Sequence, residues 1–523
     1  MEQAPLGKHR NMTEPSRSGE RPENANGNHV DIGVRDRAEV RVRDRADACA
    51  RDRVGIYVHD HVGTHVRDHA DICLPSYALR AIRILEEAGH EAWVVGGFVR
   101  DALLGRACAD IDIATSALWQ DTQRAFETAG CRTHETGVKH GTVTAIIEGK
   151  AVEVTTYRTD GAYADRRHPN EVHFVRSIEE DLARRDFTMN AIAYHPVRGT
   201  ADPYGGESDL RAGVIRAVGD PLRRFQEDAL RILRACRFSS QLGFSIEEGT
   251  YAALMERKNL LSRISAERIT HELDTLLLGE HVHDALMETS DVLAAVLPEL
   301  VAMKGFEQRT PYHIYDVLEH TAWVVQYSPA TSLARWAALF HDAGKPAAFF
   351  ARADGIGHFY GHQHISAQLA RAAFGRLRFS PAFCEKVLTL VERHDEVIAP
   401  TPKAVKRALA HLGGDTRLFA ALCDLKRADA QAQAPQCAYR VQQADELERI
   451  LERILAEGAA FSLRDLAVNG RDILALGVAE GPAVGDALAA ALDAVIDERV
   501  KNDPEALQNF VHTWACKRGL FGE

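Results

Sequence analysis

Two aspartates, Asp110 and Asp112, alternate with two isoleucines, Ile111 and Ile113. On a strand, residues two apart face the same way, so the carboxylates are expected to project together while the isoleucines pack behind them. Side by side, two carboxylates repel unless a cation sits between them. A divalent metal satisfies them, and paired ions about 3.5–4 Å apart clamp both oxygens of a phosphoryl displacement. Just upstream, Trp93-Val94-Val95 is an apolar run that ends in Gly96 and Gly97 and continues into a helix-like segment carrying Arg100. The glycines let backbone approach a ligand closely, and the N–H groups opening the helix are expected to face a triphosphate. An isolated Asp-x-Asp is most simply an edge hairpin with solvated acids. Here the glycine pair, Arg100 and the acids form one strand–turn–helix–strand unit.

Other residues have the types to join this chemistry. Glu153 lies between Val152 and Val154 and faces away from them, either as a third metal carboxylate or as an ordinary exposed strand acid. Residues 161–169, including Asp165, Arg166 and Arg167, have no periodicity and read as a basic loop. Arg184 and Arg185 stand beside Asp181 and Asp186, which suits bidentate phosphate contact held by an internal ion pair. From Phe225 to Phe238 the spacing predicts one helix on which Asp228, Arg231, Arg234 and Arg237 form a charged stripe, with Leu230, Leu233 and Phe238 toward the core. An Asp and an Arg one turn apart can offer acceptors and donors to a base edge while further arginines take phosphate; taken alone, the stripe reads better as an exposed amphipathic face. A second constellation, His320, the dyad His341-Asp342 before Gly344-Lys345-Pro346, then His362, His394 and Asp429, is a plausible nitrogen and oxygen cage for a transition metal.

The elements that must carry these residues follow from periodicity. Tyr77 to Ala88 is spaced as a helix stopping at Gly89. Thr142–Ile147 and Ala151–Tyr157 are rich in Val, Ile and Thr and read as strands. Asp202-Pro203-Tyr204-Gly205-Gly206 is turn chemistry closing the α/β part, after which the chain is mainly helical. The glycines around Pro482 either connect helices or allow close approach to RNA phosphates. The fold class is therefore α+β. At the other end, residues 1–30 have a composition expected to be disordered, and octads such as VRDRAEVR recur from Val34 to Cys73 with little to bury. Metal binding by their histidines, His59, His61, His65 and His69, is the less favoured reading.

At 523 residues the chain has room for three or four domains, and its 46% hydrophobic and 26% charged composition is that of a soluble protein. With a net charge of −12, nucleic acid must be held by a local basic groove and not by overall attraction. Nine cysteines without a C-x-x-C pair fit a reduced cytoplasm better than a disulfide framework. No apolar run approaches the roughly 20 residues that span a bilayer, and nothing marks a protein partner.

Taken in order, the motifs GGFVRD (96–101), DID (110–112), DRRHP (165–169), RRDFTMNAIA (184–193), DPYGG (202–206), EDALRILRACRF (227–238) and SAERITHEL (265–273) resemble the bacterial tRNA nucleotidyltransferases (CCA-adding enzymes) and their relatives the bacterial poly(A) polymerases. The resemblance runs from about residue 76 to the C-terminus. It implies a nucleotidyltransferase head of mixed sheet and helices (76–205), a helical neck (206–305), an HD-type helical domain (306–435) and a helical tail supporting tRNA (436–523), after an extension (1–75). It further implies that Asp110 and Asp112 carry Mg²⁺, that Gly97 and Arg100 hold the triphosphate with Gly96, and that Arg184 or Arg185 contacts nucleotide. Asp228 and Arg231 match the pair reading CTP or ATP, Arg234 and Arg237 the neighbouring contacts, and Asp165 to Pro169 the element switching from C to A addition. The tRNA 3′ hydroxyl would attack the α-phosphate and pyrophosphate would leave. The His and Asp constellation resembles HD-type phosphohydrolases, which implies His320, His341, Asp342 and Asp429 on one divalent transition metal and His362 and His394 at a second site.

Within the same family, a poly(A) polymerase usually ends in a basic extension, whereas residues 440–523 hold nine Lys and Arg against fifteen Asp and Glu. A CC-only adding enzyme shares the core. From a different class, an HD phosphohydrolase with an inactive head is opposed by the intact Asp110 and Asp112.

Overall fold

Apolar side chains are buried from Ile72 and Leu74 onward, so packing begins before residue 76, where the extension was expected to end. The computed structural model describes residues 72–108, 110–160 and 172–521; the octads before Ile72 and the loop bearing Asp165, Arg166 and Arg167 lie outside the described residues. In helix α1 (Ser76–Glu87), Ala78, Ala81, Ile82 and Leu85 recur at helical spacing and are buried. The chain turns at Gly89, with φ +88°. Strand β1 (Ala92–Val95), helix α2 (Gly97–Leu103), strand β2 (Asp112–Thr115), helix α3 (Trp119–Thr128) and strands β3 (Arg132–Gly137), β4 (Thr142–Ile147) and β5 (Lys150–Thr156) follow. A hairpin of β6 (Arg158–Asp160) and β7 (Val172–Phe174) leads to α4 (Ile178–Ala183), then β8 (Ala193–His195), β9 (Gly199–Ala201) and α5 (Gly206–Ala212).

Seven of these strands make one mixed sheet in the order β3-β4-β5-β2-β1-β8-β9. Only β2 and β5 run parallel, and their register sets Asp112 opposite Glu153. Helices α1 and α3 pack on β4 and β5. The alternation in β5 buries Val152 and Val154 and leaves Glu153 exposed.

The rest is helical apart from short strand pairs such as β10 (Val214–Ile215) with β11 (Ser245–Ile246). The neck comprises α6 (Pro221–Glu227), α7 (Leu230–Leu242), α8 (Glu248–Arg257), α9 (Ala266–Leu277), α10 (Val282–Leu293) and α11 (Glu299–Met303). Next come α12 (Val317–Tyr327), α13 (Ser332–Phe340), the short α14 (Lys345–Ala348), α15 (His362–Leu377), α16 (Pro381–Arg393), α17 (Pro402–His411) and α18 (Thr416–Gln431). Of these, α12, α13, α16 and α18 pack against one another, with α15 against α16. The chain continues through α19 (Tyr439–Ala456), α20 (Gly470–Ala475), α21 (Pro482–Ile496) and α22 (Pro504–Cys516). Head, neck and α12–α18 share one apolar core, while the last three helices build their own around Ile473, Ala487, Leu507 and Val511. Gly481, at φ +111°, and Pro482 simply start α21. The eight cysteines among the described residues are free, and no helix there is long and apolar enough to cross a membrane.

Two local expectations are corrected. Strand β2 begins at Asp112, so Asp110 lies on the irregular segment before it and not on the strand; Ile111 and Ile113 are nonetheless both buried. The single helix expected over Phe225–Phe238 is broken at Asp228, whose backbone is extended (φ −135°, ψ 105°). Its Oδ1 accepts the Leu230 N–H at 3.0 Å, satisfying a donor at the start of α7 as a capping side chain does. Nor is the charged stripe a solvated face, since Arg231 is only 8% exposed.

Candidate nucleotide and metal sites

In the interior of the sheet, β1 runs out at Val95 into Gly96, whose φ of +73° turns the chain into α2. A Cβ there would stand 2.9 Å from Arg185 Nη1 and 4.0 Å from Asp112 Oδ2, so glycine suits the conformation and a side chain would push the Arg185 guanidinium aside. The floor of the site is therefore Gly96, with Asp112 and Arg185 beside it and Glu153 next along the sheet. Desolvation and the Glu153 carboxylate push the Asp112 carboxyl up; Arg185 pulls it back and Asp110 adds to the rise. Like charges held this way with hard oxygen donors fit a small divalent cation. The first-turn N–H groups of α2 open at Gly96, and cationic side chains lie around the same turn.

Four arginines stand around the site, each fixed by an acid. Arg100 donates through Nε and Nη2 to Asp101, at 2.8 and 3.0 Å, and through Nη1 to Asn190 Oδ1 at 2.9 Å. Asp181, 1% exposed, receives Arg184 at 2.8 Å and Arg185 at 3.3 Å. Arg185 alone of that pair reaches the Gly96 turn, which separates two residues the sequence left equivalent. Buried Asp186 accepts from Arg234 Nε at 2.8 Å and from Asn190 at 3.1 Å, tying the head to α7. Burial by itself would raise the Asp186 carboxyl, but Arg234 and Asn190 hold it well below the usual carboxylate range. Arg100, Arg234 and Arg237 all lie over the Phe238 ring, at 5.0, 5.4 and 4.3 Å from its centroid.

At the α6–α7 break, Asp228 Oδ2 accepts from Arg268 at 3.1 Å. Arg231 donates to Glu227, to the Arg224 carbonyl and to the Arg184 carbonyl, at 3.0, 3.2 and 2.8 Å. Sequence reasoning assigned no part to Asn190 or Arg268 and only a place toward the core to Phe238, which is 3% exposed.

The second constellation converges as well. His320 Nε2 lies 3.3 Å from Asp342 and 3.1 Å from Asp429; His341 Nε2 is 3.1 Å from Asp342. On the other side of the same carboxylate, His362 and His394 Nε2 are 3.2 and 3.6 Å from Oδ1, and 3.2 Å from each other. All four histidines turn Nδ1 to a backbone carbonyl, of Ala432, Ala338, Phe359 and Val391 respectively. A carbonyl only accepts, so each Nδ1 carries a proton, and when the ring is neutral Nε2 is the inward-facing atom left to bind a metal. His320 Nε2, His341 Nε2 and Asp342 Oδ1 are buried without hydrogen-bond partners. Nitrogen and oxygen atoms facing one another across about 3 Å, each ring oriented by a second contact, fit the donor set of a transition metal. Among the described residues, His320, His341 and Asp342, and Asp342, His362 and His394, are the groups with three donor atoms within 4.8 Å.

Around this cluster lies a cleft of about 390 Å³ whose lining includes Tyr312, Lys345, Tyr360, Gln433 and Arg440. Lys345 Nζ is 2.6 Å from Asp342 and 2.7 Å from Gln308 Oε1. Burial lowers His320, yet the adjacent Asp342 and Asp429 carboxylates carry it up to about 9, while burial and Lys345 bring His313 down to about 3. The sequence reading had given no role to Lys345, His313, Gln308 or Gln433.

Four family models match the chain: a poly A polymerase head domain over residues 92–216, a probable RNA and SrmB-binding site of polymerase A over 243–303, an HD domain over 311–450 and a putative tRNA nucleotidyltransferase domain 2 over 420–511. The CCA-adding enzyme of Geobacillus stearothermophilus is 35% identical over 443 residues, 84% of this chain and 96% of that protein. That of Geobacillus kaustophilus is 52% identical over 227 residues, 43% of this chain and 55% of the relative. Among solved structures, the Bacillus stearothermophilus CCA-adding enzyme in complex with CTP superposes with a TM-score of 0.65 at 31% identity, covering 85% of this chain and 98% of that one.

Proposed function

The chain belongs to the CCA-adding enzyme family, and on that premise we propose that it adds C, C and A to tRNA 3′ ends from CTP and ATP, without a nucleic-acid template. The observation that carries the reading is the Asp112–Glu153 register on adjacent parallel strands, with Arg185 beside Asp112 over Gly96. Asp110, Asp112 and Glu153 would hold Mg²⁺, which when bound lowers the pKa of the attacking hydroxyl and offsets charge on the leaving oxygens. Gly96 and Gly97 admit the triphosphate, and Arg100 and Arg185 balance its charge. Arg184, paired more closely to Asp181, holds its neighbour's partner in place. Asp228 and Arg231 read the base, and Arg234 and Arg237 line the nucleotide site. The 3′ oxygen bonds to the α-phosphorus as the bond to the bridging oxygen breaks, and pyrophosphate departs. Positioning and electrostatics suffice, with no covalent intermediate.

Purified protein incubated with Mg²⁺, labelled CTP and ATP and tRNA ending at the discriminator base tests this. Addition of CCA is expected. Termination after two C residues would replace the reading with CC-only addition, and a long A tract with poly(A) polymerase activity.

The four inward Nε2 atoms around Asp342 support a second activity, metal-dependent hydrolysis of a phosphate ester at the HD centre. His320, His341, Asp342 and Asp429 would hold one divalent transition metal and His362 and His394 a second; such a metal supplies an activated water at neutral pH. Hydrolysis of a 2′,3′-cyclic nucleotide is expected to vanish in His341→Ala combined with Asp342→Ala. Full hydrolysis by that double variant would refute it.

A further inference from the structure

On the wall of the HD cleft, Arg440 sits near the start of α19 without a carboxylate: among the described residues no acid oxygen lies within 4.0 Å of its guanidinium. The contrast is with Arg427 on α18, which is closed off by Asp424, Asp445 and Glu448. Arg440 is held instead by neutral groups. Its Nη1 donates to Gln433 Oε1 at 2.9 Å, and the guanidinium lies 5.6 Å from the centroid of the Tyr312 ring. Gln433 in turn donates through Nε2 to both oxygens of Asp429, at 3.1 and 3.0 Å, so a single side chain separates Arg440 from a candidate metal ligand. A cation fixed in direction, with its nearest carboxylate a side chain away at Asp429 and beside a candidate metal cluster, can receive an anion. Beyond it the mouth carries Tyr312, 50% exposed, and Tyr360, 71% exposed and stacked on His358, which is an unusual amount of aromatic surface to leave to water.

We propose that Arg440 is the anion-binding residue of the HD centre, its guanidinium taking phosphoryl oxygens of a phosphate ester on the Asp429 side of the cleft while Gln433 keeps both residues in register. The proposal rests on the reading of this centre as a metal-dependent phosphohydrolase. Arg440 touches substrate, and Gln433 acts through its neighbours.

Full-length protein carrying Asp110→Ala, Asp112→Ala and Glu153→Ala, which removes the three carboxylates proposed to hold the head's metal, is stripped of metal and reloaded with Mn²⁺. Titration calorimetry then follows Mn²⁺ binding and, separately, the binding of inorganic phosphate with and without Mn²⁺. Adding Arg440→Ala is expected to weaken phosphate binding about tenfold or more while Mn²⁺ affinity stays within about twofold, and Arg440→Lys to recover part of the loss. Phosphate bound equally well by Arg440→Ala, or not bound by the Arg440-containing protein, overturns the proposal and leaves the metal centre standing. Mn²⁺ affinity falling in step with phosphate affinity also overturns it, by making Arg440 a scaffold. No Mn²⁺ uptake at all removes the metal-centre reading and the proposal with it.

Discussion

Arg185 lies over Gly96, with Nη1 2.9 Å from the point a Cβ on that glycine would occupy and Asp112 Oδ2 4.0 Å from the same point. The turn at Gly96, the Arg185 guanidinium and the Asp112 carboxylate are thus packed around one missing methyl group. Gly96→Ala must place a Cβ at φ +73° and displace the guanidinium. A fall in stability of about 1–3 kcal/mol is expected from the backbone, and a loss of nucleotide incorporation of about 10²-fold from misplacing Arg185. Single-turnover incorporation, measured where thermal melting shows the variant folded, checks both. An active variant with an unchanged Tm would show that the contact is incidental.

The carboxylates themselves should separate stability from activity. Asp112 is pushed up by desolvation and by Glu153, so without a cation it is a strained group. Asp112→Asn is expected to leave Tm unchanged or higher in chelator while lowering incorporation about 10²–10³-fold. A large drop in Tm would mean that the site is a structural ion cluster.

Asp186 gives a pH prediction. Its folded pKa lies below the unfolded value of about 3.9, so the unfolded chain takes up its proton first as pH falls. The stabilisation is complete above that unfolded value and is lost as pH drops toward the folded one. Asp186→Asn should therefore cost about 3 kcal/mol at pH 7, the low end for a buried pair because Arg234 is partly open to solvent. It should also flatten the fall in stability below pH 4. Denaturant unfolding between pH 2.5 and 7 measures this, and parallel curves for the two proteins would contradict it.

How much of this was legible in the sequence depended on how far each residue's partner lies along the chain. The unit from β1 to β2 and the β4–β5 pair could be read because alternation and a glycine turn are local signals, and the same alternation placed Glu153 on the face away from Val152 and Val154. The break at Asp228 was invisible, since arginines every third residue look helical, and the extended backbone there is stabilised by Arg268, forty residues away. Likewise Arg234 and Arg237 look solvated until Asp186 and Glu272 are brought to them. The metal cluster was legible by residue type, because His and Asp on separate helices are few. Lys345, Gln308 and Gln433 were not, being common polar residues whose roles come only from pointing at Asp342 and Asp429.

Metal addition provides a readout of the HD centre that does not depend on finding its substrate. A ligand that binds only the folded state stabilises it by about 2.7 kcal/mol at a hundredfold excess over Kd. Mn²⁺ added to chelated protein is therefore expected to raise Tm, and the rise should shrink in Asp342→Ala, which removes the carboxylate shared by both histidine pairs. CCA addition with Mg²⁺ should survive that substitution. An equal Mn²⁺ shift in both proteins would place the stabilising metal elsewhere.

Base choice should depend on Arg268, although nothing in its sequence position suggests it. Asp228 offers Oδ1 to the Leu230 N–H and Oδ2 to Arg268, so its carboxylate plane is fixed from two sides. Arg231 is fixed as firmly by Glu227 and two carbonyls. A base edge discriminates only against donors and acceptors that cannot turn to suit it, and loss of one restraint frees the carboxylate to accommodate other bases. Arg268→Ala should lower the preference for CTP and ATP over UTP and GTP by about tenfold while costing about 1 kcal/mol or less in stability, as befits a partly exposed pair. Arg268→Lys should restore part of the preference. The ratio of kcat/KM values among the four nucleotides is the measurement; a purely structural role would lower Tm and leave that ratio where it was.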